Sequence, residues 1–300
     1  MDNVKNERKR LANLLDEVAV NEGKHFSLIE GVDLVRVSKP QPRDLMMYQP
    51  NILIVGQGQK RCFLGEEVYT YDPLNYLALS VPLPMECETY PTPDEPMLLV
   101  AVQVEPTMLG EMILEMDEPL ALVDATPRGI STTPMSEELR NAVIRLLECL
   151  KSPRDSRILG RKIVHEIVYR VLCDEQGGSL RALASRDDHF TRIARVLKYM
   201  HSEFATPLSA EELAKRAGMS LSLFHHHFKL VTANSPLQYL KQIRLDHARR
   251  LMTHDGYNAS TAAREVGYES PSQFSREFKR LFGVTPIEDA EQTRARLVTG

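Results

Sequence analysis

A motif that occurs twice near the C-terminus constrains this chain more than any other feature. The first copy runs Gly218-Met219-Ser220, then Phe224, Phe228-Lys229 and Ser235-Pro236. The second runs Gly267-Tyr268-Glu269-Ser270, then Phe274, Phe278-Lys279 and Thr285-Pro286. Phe-Lys and the following Ser/Thr-Pro step keep the same spacing in both. A short alanine-rich segment precedes each glycine, Leu213 to Ala217 and Ala262 to Val266. Each copy therefore predicts helix, tight turn, helix, and two such units suit a protein that reads two neighbouring turns of DNA.

Helix-start signals fix the frame. Ser209-Ala210-Glu211-Glu212 has the capping-box pattern, in which the serine hydroxyl and the glutamate each take an orphan N–H. Gly218 predicts a sharp turn, and Ser220 a cap. Ser235-Pro236 opens a long helix with proline in its first turn, where the missing N–H does no harm. Its apolar face is Leu240, Ile243, Ala248, Leu251 and Met252. Ser270-Pro271 repeats the device. Phe224 and Phe228 lie four apart, as do Phe274 and Phe278, so each pair shares a helix face and is expected in a core. Leu213, Ala217, Ala263 and Val266 should pack with them.

This two-copy pattern resembles the DNA-binding domain of the AraC/XylS family of transcription regulators, over about residues 193–286. The strongest part is Val266 to Lys279 followed by Phe282-Gly283-Val284-Thr285-Pro286. The resemblance implies that recognition helices enter successive major grooves about 34 Å apart. By position it implies base reading by Ser222, His225 and His226 in the first unit, and by Pro271, Ser272, Ser275 and Arg276 in the second. Arg276 can donate twice to guanine O6 and N7. Ser220, Ser270, Lys229, Lys279 and Arg280 are expected on phosphates, which position without specifying sequence. His225-His226-His227 are consecutive on a helix, about 100° apart, so they cannot converge on one metal ion. Two positions depart from the family. Ala233 replaces a usual glycine, which leaves Asn234 to take the left-handed conformation. The tail Ile287-Glu288-Asp289 lacks the usual Tyr-Arg ending, which brings the last turn into question.

Upstream the periodicity changes. Residues 5–19 predict an amphipathic helix through Leu11, Leu14, Leu15 and Val18. Short β-like runs follow: 34–37, 52–55, 61–64, 68–71, 76–81, 85–90 and 97–104, separated by glycine and proline turns. They argue for a small sandwich or barrel. Helices resume after Pro106, from Ser136 with Leu139, Val143, Leu146, Leu147 and Leu150, and over 158–172 with Ile163, Ile167 and Val171. Gly177-Gly178 is expected to end the last of these. These helices either cover the barrel or form an isologous dimer contact, the latter favoured. Pro42-Arg43-Asp44, Gly56 to Lys60, Tyr71-Asp72-Pro73 and Ser80 to Pro84 resemble the cupin-like N-terminal domain of one AraC subgroup, which implies effector sensing or dimerisation.

The expected fold is α+β. A cupin-like barrel with an N-terminal helix covers 1–133. A helical dimerisation or linker region covers 134–186. An all-α domain of two helix-turn-helix units joined by a long helix covers 187–300. The net charge of −4 divides unevenly, with 16 Lys+Arg against 11 Asp+Glu from Phe190 onward and an acidic remainder, as suits a segment drawn to phosphate. The scattered cysteines predict reduced thiols rather than a disulfide framework. Cys62 and Cys87 are buried small hydrophobes or, more sharply, thiols that sense an electrophile or oxidant, and they are the candidate effector contacts. No histidine stands between Phe26 and Val104, so neither a metal centre nor a cupin enzyme is expected there. No cofactor is implied. The expected partners are double-stranded promoter DNA, a small-molecule effector, a second copy of the chain and, for an activator, RNA polymerase. No apolar run suits a membrane span or signal peptide, and a cytoplasmic location is expected. The rival readings are a front domain that only dimerises and a metal-free enzyme-like barrel fused to a DNA-binding domain.

Overall fold

A computed structural model describes residues 2–92, 94–116, 126–174, 177–184 and 189–298. Helix α1 (Asp2–Val18) leads into strands β1 (Gly23–Phe26), β2 (Val32–Val37), β3 (Gln41–Tyr48), β4 (Asn51–Gln57), β5 (Lys60–Leu64), β6 (Glu67–Tyr71), β7 (Asn75–Leu79), β8 (Leu83–Thr89) and β9 (Met97–Gln103). Helix α2 (Pro106–Glu115), strand β10 (Ile130–Pro134), and helices α3 (Glu137–Leu150), α4 (Pro153–Cys173) and α5 (Gly178–Ala184) follow. The C-terminal part holds α6 (His189–Ser202), α7 (Ala210–Ala217), α8 (Leu221–Thr232), α9 (Pro236–Thr253), α10 (Ala259–Glu265), α11 (Pro271–Phe282) and α12 (Pro286–Val298).

The strands form two antiparallel sheets, ordered β1-β2-β9-β4-β7-β10 and β3-β8-β5-β6. The alternation of strand side chains explains the continuous apolar runs of the larger sheet. On β4, Ile52 and Ile54 join a cluster with α1, α3 and α4, while Leu53 and Val55 face the cluster shared with the smaller sheet. Both faces of this sheet are thus buried. The apolar residues Ile167 and Val171 of α4 are consumed in covering it, so they are not available to a partner. The outer side of α4 still exposes Ile158 and Leu159.

Three strands escape the sequence pattern. Prolines and charges hide β3, β1 is short and polar, and β10 has the sequence Ile-Ser-Thr-Thr-Pro. Gly177-Gly178 does not end α4, which stops at Cys173 with Asp174 as its cap; Gly178 instead starts α5. The expected boundary at 186/187 lies outside the described residues.

The cysteine expectation is corrected. Cys62 and Cys87 are joined as a disulfide, because β5 and β8 pair in a register that sets them directly opposite each other. Cys149 and Cys173 are free.

Candidate nucleic-acid interface

The C-terminal part builds its two reading heads by the same local rules. Ser209, Ser220, Ser235 and Ser270 each cap a helix by accepting the backbone N–H three residues on, at 3.1, 3.3, 3.3 and 3.3 Å. Gly218 closes α7 in the left-handed conformation, and Gly283 does the same for α11. The last helix is not frayed. Thr285 and Glu288 cap each other reciprocally, Thr285 N–H donating to the carboxylate at 2.8 Å and Glu288 N–H to the hydroxyl at 3.3 Å. The unusual tail is therefore a helix start, which corrects the expectation of a compromised last turn.

Phe224, Phe228, Phe274 and Phe278 are fully buried, as their spacing predicts. The two heads nevertheless differ in their cores. Phe224 and Phe228 share a cluster with α6, with Tyr239 and Ile243 of α9, and with the barrel interior. Phe274 and Phe278 pack in a separate cluster with Leu245, Ala248 and Met252 from the other half of α9. Each head is completed by one more helix, α6 for the first and α12 on α9 for the second.

The opposite faces carry the candidate contact residues. Ser222, His225, His226 and Lys229 are exposed on α8. Pro271, Ser272, Arg276, Lys279 and Arg280 are exposed on α11, with Ser275 half-buried. Ser220 and Ser270 stand at the two helix starts, and capping uses one acceptor lone pair, which leaves the hydroxyl proton free to donate. His227 turns inward: its Nδ1 lies 3.0 Å from Thr126 Oγ1 and its ring 4.1 Å from that of His189. Burial, and then His189 and His226, hold its pKa below the usual value. Three histidines on one turn thus split into two exposed and one packed, and no metal-holding group occurs among the described residues.

Ala233 itself takes the left-handed conformation at φ +57°, not Asn234. Thr232 makes this tenable: its hydroxyl accepts Asn234 N–H at 3.2 Å and donates to Phe228 O at 2.8 Å. A Cβ in this region is strained, so Ala233→Gly is expected to stabilise the chain by about 1 kcal/mol. A rise in the urea midpoint at unchanged slope would show it.

Sequence reasoning missed the braces that hold the heads. Arg244 donates to the carbonyls of Phe204, Gly267 and Thr206 at 2.7, 3.2 and 2.9 Å, tying the α6–α7 connection to the turn of the second head. Glu277 accepts from Lys241 and Tyr268 at 2.8 and 2.9 Å. Arg249 joins Asp289 of α12 to Asp44 of β3. Tyr239 donates to Pro82 O at 2.7 Å and lies 2.9 Å from His201 Nε2. With Tyr239's one proton committed, His201 is the donor of that pair. Burial, then His247 and Arg250, depress its pKa to about 4. The partners of Arg249 and Tyr239 in the barrel are 205 and 157 residues away in the chain. No local signal marks such contacts.

Cys62 and Cys87 do not open onto a ligand groove. Both are buried between the sheets. An open groove of about 730 Å³ lies elsewhere, between α1 and the barrel rim, with Arg8, Lys9, Gln57, Gln59 and Tyr90 among its walls.

Known proteins share this arrangement. The virulence regulon transcriptional activator VirF of Yersinia enterocolitica is 24% identical over 248 residues, covering 80% of this chain and 88% of its own. The activator RhaS of Escherichia fergusonii is 27% identical over 152 residues, 51% of this chain and 53% of its own. Crystal structures of ToxT from Vibrio cholerae have the same fold. An apo form superposes with a TM-score of 0.57 at 11% identity over 86% of this chain and 95% of its own. A form described as bound to unsaturated fatty acid gives 0.55 at 13% identity, over 86% and 93%. A helix-turn-helix family matches residues 213–292. The family described as the N-terminus of AraC-type transcriptional regulators matches residues 28–179, about half of the chain. Two helix-turn-helix heads behind that front domain make the chain a member of the AraC-type DNA-binding transcription regulators.

Proposed function

We propose that α8 and α11 each enter a major groove and read different sequences. The observation that carries this is the pair of exposed polar faces on equivalent helices: Ser222, His225 and His226 on one, Pro271, Ser272, Ser275 and Arg276 on the other. Scaffold residues recur in the two heads, as do Ser222 with Ser272 and Lys229 with Lys279, whereas Leu221/Pro271, His225/Ser275 and His226/Arg276 differ. Ser220, Ser270, Lys229, Lys279 and Arg280 surround these faces with phosphate donors. Arg276 is the strongest base reader, because an exposed guanidinium forks onto guanine.

Arg276→Ala is expected to weaken specific binding by about 1–3 kcal/mol and to relax base preference at one position. Lys279→Ala should weaken binding to all sequences and reduce the salt slope by about one. Gel-shift titrations on selected and scrambled duplexes at two salt concentrations separate the two effects. If the Arg276 variant bound every sequence as tightly as the parent, with the same preferences, its assignment would be sunk.

The front domain, residues 1–133, is proposed to sense a small molecule, with the α1 groove as the site and Arg8 and Lys9 attracting an anionic group. A fold shared with a fatty-acid-bound relative supports this reading. Saturable thermal stabilisation of the full chain by one class of acid would support it further. No response across a broad panel favours a front domain that only dimerises. Residues 134–186 are proposed as a dimerisation and linker region, now through the outer face of α4 at Ile158 and Leu159, and 187–300 as the DNA-binding domain. The protein is proposed to work in the cytoplasm as a homodimer and, as an activator, to engage RNA polymerase.

A further inference from the structure

We propose that Cys62 and Cys87 form a reversible dithiol–disulfide switch that sets how firmly the barrel holds the first reading head. Three features lead there. The cysteines sit opposite each other on neighbouring antiparallel strands, Cα to Cα 4.2 Å, in the buried space between the sheets. Nothing in a small dual-sheet core requires such a cross-link. In the reducing compartment where DNA regulators work, disulfides are typically transient and redox-sensing.

The second feature is where the link lies. Across the smaller sheet the register aligns Asp44, Cys87, Cys62 and Tyr69 in one row, from β3 through β8 and β5 to β6. Asp44 at one end accepts from Arg249 of α9. Pro82, just before β8, accepts from Tyr239 of α9. At the other end the β5–β6 turn sets Gly65 against Ala233, at the end of α8. The sulfurs therefore tie together the strands that make the contacts with the DNA-binding part.

The third feature is charge. Glu66 and Glu67 of that turn line one cleft with His226 and Lys229 of α8, and Arg128 of the same cleft pairs with Glu67 at 2.5 Å. With Glu67 neutralised by Arg128, it is the Glu66 carboxylate that stands beside the phosphate-contacting face and opposes DNA while the barrel is clamped on α8. The disulfide form is the clamped, weaker binder, and reduction loosens the row.

The chemistry balances with a hydroperoxide as oxidant. One cysteine thiolate attacks the terminal oxygen of R–O–OH, forming a sulfenic acid and releasing R–OH after proton uptake. The second thiol attacks the sulfenic sulfur, the S–S bond forms and water leaves. Two thiols lose two protons and two electrons, which reduce the hydroperoxide to an alcohol and water. A dithiol reductant reverses this: its thiolate breaks the S–S bond through a mixed disulfide, its second thiol displaces the remaining cysteine, and it departs as its own disulfide. Tyr71, whose hydroxyl is 3.9 Å from the Cys62 sulfur, keeps its proton because burial raises its pKa, and can donate to the released thiolate. Both cysteines lie buried on the inner strands of the smaller sheet, so small reagents reach them through local opening of that sheet.

The test uses the full wild-type chain, treated with hydrogen peroxide or with dithiothreitol. Peptide mapping after alkylation should find Cys62 joined to Cys87 only after peroxide, with Cys149 and Cys173 alkylated in both. Affinity for a duplex selected in vitro with the reduced protein should be about tenfold higher in the reduced form, within the usual range of coupling between sites. The Gly129 N–H, which donates to Val231 O across the contact, should exchange faster in the reduced form. A Cys62→Ser/Cys87→Ser variant should behave as reduced whatever the treatment; the two wild-type states decide the question even if that variant folds poorly. Equal affinity in both forms, tighter binding when oxidised, or no Cys62–Cys87 linkage after peroxide overturns the switch. The idea rests on the DNA-binding reading for its affinity arm. If neither form binds any duplex, that reading fails, and an unchanged Gly129 exchange rate would still overturn the switch.

Discussion

Gly267→Ala is expected to cost about 3 kcal/mol or more, while Gly218→Ala at the same place in the other head costs about 1 kcal/mol. Both glycines have positive φ, +83° and +64°, so each alanine bears the left-handed penalty. Their surroundings differ. A Cβ on Gly218 would meet only Arg192 Nη1 at 3.5 Å, an ordinary contact with a flexible side chain. A Cβ on Gly267 would stand 2.2 Å from Ala205 O, with two more backbone atoms of Ala205 within 3.1 Å. The α6–α7 connection would have to retreat, and Arg244, bonded to Phe204, Thr206 and Gly267, would lose its geometry. Urea unfolding of the two variants beside the parent reads the difference directly. Equal losses would mean that the heads do not press on each other at this turn.

Arg249→Ala is expected to cost about 3–5 kcal/mol, the range for stranding one half of a buried ion pair. The guanidinium forks onto both oxygens of Asp289 at 2.8 and 2.9 Å and meets Asp44 at 2.8 and 3.0 Å. Burial disfavours its charge, yet the two carboxylates outweigh that and hold its pKa above the ordinary value. The Asp289 side chain is only 6% exposed, so the alanine variant leaves a carboxylate without water or partner. Asp44 is 43% exposed, and Asp44→Asn should cost less than about 1 kcal/mol. Replacing the inner pair together, by Arg249→Met with Asp289→Leu, should recover much of the loss. A double-mutant cycle by chemical denaturation tests this. A single alanine variant as stable as the parent would show that the clamp contributes little.

What could be read from the sequence was whatever acts over one or two helical turns. The serine caps, the left-handed glycines and the four buried phenylalanines are local signals, and they placed α7 to α11. Strands β4 and β9 were legible as apolar runs because both of their faces are buried. Strand β3 was not, since Gln41, Pro42 and Arg43 are exposed and Asp44 is held by Arg249 of distant α9 rather than by apolar neighbours. The cysteine bond was out of reach because it depends on the register between β5 and β8, which lie 25 residues apart through their cysteines. At Ala233 the local rule pointed one residue too far. It ignored that Thr232 could bond both Phe228 O and Asn234 N–H and so hold an alanine at positive φ. The contact faces of α8 and α11 followed from the repeat, while the clamps through Arg244, Arg249 and Tyr239 arise only once distant segments meet.

The shared core of the first head and the barrel limits how this protein can be taken apart. A chimaera joined just ahead of α6 would cut through one apolar cluster, leaving Val81, Leu83 and Val231 without their native neighbours. The second head, with its separate cluster, is the portable part. Exchanges between relatives should therefore succeed best when the crossover falls within α9, between Ile243 and Leu245, with Arg244, Gly267 and the Arg249–Asp44 pair retained.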